Sequence, residues 1–299
     1  MKRIFRLTLA AAVTASAGLA AVVAWPIGVP LSGLELKGDA ARGAYLARAS
    51  GCIACHTDFA GGGAPLAGGV KLETPFGTLY SPNLTSDAGH GIGEWTVEDF
   101  AKAIRQGVSP DGQPYYPAFT YPFYGNFTDQ DIADLWAAFQ TVPPLAEPSR
   151  PQDMVFPFNQ RWGLKLWRAA FLEPPQTDPI PDKGEVWNRG RWLVEGAAHC
   201  AACHTPRNIA GARKSGSARF TGSDALPGGG KAPAINQAAL QARGWTVDSL
   251  AFALRTGITP DGDTFGGSMG EVVLYGIGFL TEEDRRAMAA YLLDDDLGG

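Results

Sequence analysis

Gly51-Cys52-Ile53-Ala54-Cys55-His56-Thr57 is the stretch around which the rest of the chain is organised. It contains C-x-x-C-H, the pattern by which a c-type haem is attached. Two thiols on one tight turn can each add to a haem vinyl group as a thioether. The next residue, His56, then lies under the iron, with its imidazole as proximal ligand. The pattern occurs a second time, in Cys200-Ala201-Ala202-Cys203-His204-Thr205. Cys52, Cys55, Cys200 and Cys203 use all four cysteines of the chain, and His56 and His204 use two of its four histidines. Two C-x-x-C pairs can also form a zinc site, but such pairs lie roughly 15–20 residues apart. Here the separation is far larger and each pair is followed by His. A thioredoxin-like redox pair expects a strand–helix setting and no obligatory His. The expected cofactors are therefore two covalently bound haem c groups.

A chain of 299 residues has room for two domains at roughly 150 residues each, one for each attachment run. The 38 glycines and 22 prolines, with sparse charge, suit small helical domains with long loops wrapped on a cofactor rather than a long helical bundle. The formal net charge of −5 and the lack of a basic cluster after Arg6 give no reason to expect a nucleic-acid partner. At the N-terminus, Lys2, Arg3 and Arg6 precede a charge-free run from Leu7 to Leu34. A spanning helix needs about 20 apolar residues, whereas a cleaved signal peptide needs an apolar core of roughly 7–15. Leu7 to Trp25 comes close to the former, and Ala15-Ser16-Ala17 offers a cleavage site for the latter. Either way the basic residues stay in the cytoplasm and the remainder of the chain crosses the membrane. The expected location is the periplasmic side of the inner membrane, or the periplasm after cleavage.

The coarse organisation is a signal or anchor over 1–34, a first domain over 35–142, a Pro- and aromatic-rich strap over 143–181 and a second domain over 182–299. In the first domain Asp39 caps a helix from about Ala40 to Ser50 that leads into Cys52. Gly61-Gly62-Gly63 lacks the residues of a phosphate loop and reads as a flexible loop over the haem edge. Thr74 to Leu84 reads as extended chain with turns. Thr96-Val97-Glu98-Asp99 opens a helix that Gly107 stops. Thr128-Asp129-Gln130-Asp131 opens the last helix, with Ile132, Leu135, Trp136 and Phe139 as a core stripe against the first. The strap has too many prolines for one continuous helix. Its run Val155-Phe156-Pro157-Phe158-Asn159-Gln160-Arg161-Trp162, with Leu166, Trp167 and Phe171, is too aromatic to lie in water. A short helix near 160–172, packed on one or both domains, is expected.

The second half repeats the first. Gly43, Tyr45 and Leu46 correspond to Gly190, Trp192 and Leu193. Trp95 pairs with Trp245, Arg105 with Arg255, Gly107 with Gly257 and Pro110-Asp111-Gly112 with Pro260-Asp261-Gly262, at a constant offset of 150. The repeat bears on the distal ligands. A low-spin c haem commonly takes Met from the loop before the last helix. Met269 lies there, in Gly266-Gly267-Ser268-Met269-Gly270, while Met288 falls inside the last helix as a core residue. In the same register Phe119 stands where Met269 stands, and Phe cannot ligate iron. For the first haem the distal candidates are His90, between Gly89 and Gly91, and Met154 from the strap; otherwise that iron is five-coordinate. His199 abuts Cys200 and is poorly placed to turn to an iron.

Cys52 to His56, Thr74-Pro75-Phe76-Gly77, Gly91-Ile92-Gly93-Glu94-Trp95 and Tyr116-Pro117-Ala118-Phe119 resemble the haem-domain pattern of the cytochrome c subunits of bacterial periplasmic alcohol and gluconate dehydrogenases. Those subunits usually carry three haem domains, and this chain has two. It also resembles two-haem, membrane-anchored relatives with an FPFNQRW-like strap, here Phe156 to Trp162. Where many relatives carry Met at the position of Phe119 or Phe127, this chain has Phe. The resemblance implies a mostly α fold: two class I cytochrome c-like domains in tandem behind an N-terminal membrane helix or signal segment. It implies electron transfer from a periplasmic dehydrogenase to a respiratory acceptor, with the inner membrane contacted through the N-terminal segment. The rival expectation is a haem enzyme whose open first iron acts on a small substrate such as peroxide or thiosulfate.

Overall fold

A computed structural model describes residues 2–173 and 178–296, without the side chains of residues 2, 11, 12 and 15. Pro174 and Pro175 of the strap, and the last three residues of the second domain, lie outside the described residues. So does the side chain of Ala15 in the possible cleavage site. The element order is α1 (Lys2–Ala24), α2 (Ala40–Ala49), α3 (Cys52–His56), β1 (Lys71–Thr74), β2 (Gly77–Tyr80), α4 (Val97–Gln106), α5 (Tyr121–Tyr124), α6 (Asp129–Gln140), β3 (Asp153–Met154), α7 (Gly163–Phe171), α8 (Glu185–Trp192), α9 (Ala201–His204), α10 (Gln237–Ala242), α11 (Val247–Thr256), α12 (Gly267–Tyr275) and α13 (Glu282–Leu293). The protein is mostly helical.

The helix starts follow from their caps. The Asp39 carboxylate accepts from the Ala41 and Arg42 amides and begins α2. Thr96 and Asp99 form a reciprocal capping box on α4, and Thr128 and Asp131 form one on α6. These side chains satisfy amides that have no partner inside the helix. The repeat holds at this level. Thr246 and Ser249 cap α11, and Gly107 and Gly257 end α4 and α11 in the left-handed conformation. That conformation strains any residue with a Cβ.

Two helix crossings build the core. In the first unit α2 lies against α6, and in the second α8 lies against α13. The helices approach so closely that a Cβ on Gly43 would stand 1.8 Å from the Asp134 carbonyl oxygen, and one on Gly190 would stand 1.8 Å from that of Ala287. Both positions therefore require glycine. Ile132, Leu135 and Phe139 of α6 are buried, as are Met288 and Leu292 at the positions of α13 that match Leu135 and Phe139. The two sets merge into one contiguous apolar core. Asp134 is fully buried and ties the start of α2 to α6. It pairs with Arg42 and accepts from the Asp39 amide at 2.7 Å and from Gln130 at 2.8 Å.

Several elements differ from the sequence expectations. The stretch near Thr74 to Leu84 contributes to an antiparallel hairpin, β1–β2, and Met154 of the strap adds β3 to its edge through Asp153↔Thr78 and Met154↔Gly77. Two distant segments meet there, and no local periodicity announces such a pairing. The strap does fold onto both units: Arg161 donates to the Pro114 carbonyl, Tyr116 to that of Phe158 and Trp167 to that of Ala210. Its aromatic run is nonetheless partly in water, with Phe156 79% exposed. Phe158 meets Phe76 edge-on with ring centres 4.8 Å apart. The segment that reads as a glycine-rich loop around Met269 is the first turn of helix α12. There Gly266 is the cap, Gly267 takes the left-handed conformation (φ 53°), and Val272 and Val273 pack the helix onto the core.

Helix α1 is mostly exposed and touches the remainder at its C-terminal end, where Lys165 Nζ donates to the Val23 and Trp25 carbonyls at 2.6 Å each. Beyond it Gln106 brackets Val29, and Leu34 enters the core of the first unit. Among the described residues no helix is long and apolar enough to cross a membrane.

Gly43→Ala and Gly190→Ala should each destabilise the protein by about 1–3 kcal/mol, because the added methyl would overlap the backbone carbonyl of Asp134 or Ala287. Thermal melting checks this. A melting point unchanged in both variants would show that the crossings are looser than the structure has them.

Candidate haem-attachment sites

Each attachment turn is fixed by the helix before it. In the first unit α2 ends at Ala49, Gly51 turns left-handed (φ 66°), and α3 carries Cys52, Cys55 and His56 on a single turn. In the second unit α8 continues through a π-helical turn, Leu193–Ala197, before α9. The offset between copies is 147 at Gly43 and Gly190 but 148 at Cys52 and Cys200. The wider π turn absorbs that one extra residue, so the second attachment turn still follows its helix in phase. No disulfide links the cysteines. Burial, with the neighbouring thiol of each pair adding to it, pushes Cys52 and Cys200 up to about 12. Thiols held neutral in apolar surroundings suit an apolar macrocycle.

The axial histidines are held alike. His56 Nδ1–H donates to the Pro82 carbonyl at 2.9 Å, and His204 Nδ1–H donates to the Pro233 carbonyl at 2.8 Å. Burial lowers both imidazoles below the usual range, against the opposing pull of those carbonyls. A neutral ring protonated on Nδ1 leaves the Nε2 lone pair free, which is the tautomer a metal requires. The residues present therefore fit haem iron at two places. Around each turn the same scaffold recurs. Thr57 and Thr205 are buried, and their hydroxyls accept from the amides of Leu66 and Phe220 at 3.0 and 3.1 Å. Leu66 and Phe220 share the left-handed backbone, with φ 60° and 58°. Sequence reasoning missed Pro82 and Pro233 as histidine partners. The only signal was a proline 26 residues after His56 and one 29 after His204, with no fixed spacing to mark them. Among the described residues no group of three or more His, Cys, Asp or Glu side chains converges as a metal-ion cage.

The other expected site residues fall in different settings. Met269 is half-buried on α12, packed against the core. Its register partner Phe119 stands in an aromatic group with Tyr115, Tyr121 and Tyr124, at ring separations of 5.6, 6.2 and 6.2 Å. His90 is exposed on a turn, its amide donating to Asp87 at 2.7 Å. Met154 is half-buried at the edge of the hairpin.

The two attachment turns face each other across the junction of the units. Phe59, three residues after His56, stacks on Tyr275 of α12 with ring centres 3.7 Å apart and planes within 5°. Arg48 lies 3.9 Å over the Phe279 ring, and Arg213 lies 4.0 Å over that of Phe123. His199 Nε2–H reaches the Ser50 carbonyl at 3.3 Å, and burial holds this imidazole below its usual range. At the rim Tyr45 donates to Asp284 at 2.6 Å and accepts from the Thr281 amide at 3.1 Å, and Arg189 grips the same carboxylate with two bonds of 2.7 Å.

The cytochrome c profile matches residues 40–139 and, again, 188–294. The chain belongs to the cytochrome c family. Members hold haem c covalently, and the two turns described above are where this cytochrome's residues fit it. A dihaem c-type cytochrome from Cereibacter sphaeroides is 42% identical over 263 residues, 86% of this chain and 86% of that protein. The gluconate 2-dehydrogenase cytochrome c subunit of Pantoea cypripedii is 40% identical over 84% of this chain. The cytochrome c subunit of the quinone-dependent alcohol dehydrogenase of Gluconobacter oxydans is 41% identical over 84% of it. The cytochrome spans only 58% of the Pantoea protein and 53% of the Gluconobacter one.

Burial by itself would raise the Asp284 carboxyl, but the Arg189 and Tyr45 hydrogen bonds hold it below the usual range. A depressed folded-state value contributes stability above the unfolded value, about 3.9, which is lost as pH falls through the folded one. Asp284→Asn should therefore cost about 1–3 kcal/mol at neutral pH, with the gap to wild type closing below about pH 4. Melting curves across that range check it; a gap independent of pH would contradict the assignment.

Proposed function

We propose that this cytochrome is a dihaem electron-transfer subunit that accepts electrons from a dehydrogenase partner and delivers them to a respiratory acceptor on the periplasmic side of the inner membrane. The carrying observation is the duplicated attachment turn, each with a neutral histidine backed by a proline carbonyl. The relatives that are dehydrogenase cytochrome subunits support the donor class. When bound, haem c supplies a one-electron Fe(III)/Fe(II) couple. In this reading Cys52 and Cys55, and Cys200 and Cys203, are the covalent anchors. His56 and His204 are the proximal ligands, and Met269 is the distal ligand in the second unit. The domain division at 35–142 and 182–299 belongs to the same proposal. The charge-free sequence behind Lys2, Arg3 and Arg6 supports attachment to, or export across, the membrane.

A second reading rests on Phe119. The segment from Gln113 to Phe127 offers no Met, His or Lys, so the first iron could stay open to a small substrate unless His90 or Met154 closes it. An open distal face favours activation over electron transfer. Binding of cyanide or carbon monoxide with steady turnover of peroxide or thiosulfate would support this reading.

Denatured, purified protein should retain two haems by intact mass; one haem or none would sink the dihaem reading. The second haem should show the weak far-red band of Fe(III)–Met. Met269→Ala should abolish that band and lower the potential of that haem. If the band persists in the variant, Met269 is not the ligand. Membranes washed with alkali should retain the protein; a soluble mature chain starting near Gly18 would show a cleaved signal instead.

A further inference from the structure

Both units need a left-handed residue immediately before the first attachment cysteine. The first unit uses glycine there, Gly51 at φ 66°. The second unit uses His199 at φ 40°, although a side chain at such an angle is strained and glycine serves the turn without cost. Asn, Asp and His tolerate the region better than most, but the backbone alone gives no reason to prefer His over Gly. What the side chain gains is its contact with the other unit. The ring crosses the junction and its Nε2–H donates to the Ser50 carbonyl, at 3.3 Å and so at the long end of hydrogen-bond range. A Cβ on Gly51 would lie 3.6 Å from the same Nε2. The two residues that precede Cys52 and Cys200 thus meet face to face. Phe123 and Tyr124 hold the ring on its flanks, at 5.9 and 6.1 Å between ring centres. The Tyr124 hydroxyl donates to the same Ser50 carbonyl at 2.9 Å.

We propose that His199 is a positioning residue that joins the two haem-attachment turns and couples them electronically. The route is short: from Cys52 through Gly51 to the Ser50 carbonyl, across one hydrogen bond to the imidazole, and along one residue to Cys200. Tunnelling falls off less steeply along bonds and hydrogen bonds than across a gap, and the same bond fixes the spacing of the turns. This inference rests on the dihaem reading above.

The test uses the full-length haem-loaded protein and three variants. His199→Gln keeps an N–H donor of similar reach. His199→Leu keeps bulk without the donor. His199→Gly restores the residue the first unit uses and so relieves the backbone if Leu fails to fold. Haem content by the pyridine assay comes first, because fewer than two haems in the wild type overturns the dihaem reading rather than this one. With two haems present, inter-haem electron transfer is followed after flash photoreduction, beside melting temperature and the magnetic interaction of the two ferric irons. The expected result is a several-fold slowing and a weakened interaction in the Leu and Gly variants, with Gln restoring most of both. Wild-type rates in Leu and Gly would overturn the proposal. So would equal slowing in all three variants, since the hydrogen bond would then not be the coupling element.

Discussion

The rest of the structure depends on one geometric constraint. A helix must end, reverse through one left-handed residue, and present two thiols and an imidazole on the next turn. Everything around each attachment turn serves that requirement. Gly43 and Gly190 let α2 and α8 lie close enough to α6 and α13 that the turns are anchored on the core. The π turn at Leu193–Ala197 corrects the phase where the second copy has one residue more. Pro82 and Pro233 then orient the histidines from behind through their carbonyls, which sets the tautomer as well as the ring direction.

The two units are not beads on a string. Their apolar residues form one core, and polar links close the seam at its rim, with Tyr45 and Arg189 converging on Asp284. The strap adds a third tie, because Met154 and Asp153 extend the first unit's hairpin while Trp167 reaches the Ala210 carbonyl of the second. For an electron carrier this rigidity has a use. Transfer rates depend steeply on separation, so a fixed junction keeps them fixed.

The copies differ where their chemistry would differ. At matching positions of the repeat the second unit has Met269 on a nine-residue helix, whereas the first has Phe119 within a cluster of tyrosines. A thioether raises the potential of an iron it binds, and a phenyl ring cannot bind one. Two similar folds can in this way present two unlike sets of residues.

The sequence by itself determined the mostly helical class, the duplication, the attachment turns and most helix ends. Each of these is written locally: in C-x-x-C-H, in Thr-x-x-Asp caps, in glycine stops and in a stripe such as Ile132, Leu135 and Phe139. Tertiary structure decided what local pattern cannot encode. It placed Met269 on a helix, which Val272 and Val273 pack onto the core. It paired Met154 with Gly77 and left Phe156 largely in water. It also matched His56 to Pro82 and His204 to Pro233, and turned His199 toward the carbonyl of Ser50. Carbonyls are present at every residue, so only the folded chain can show which of them a histidine meets.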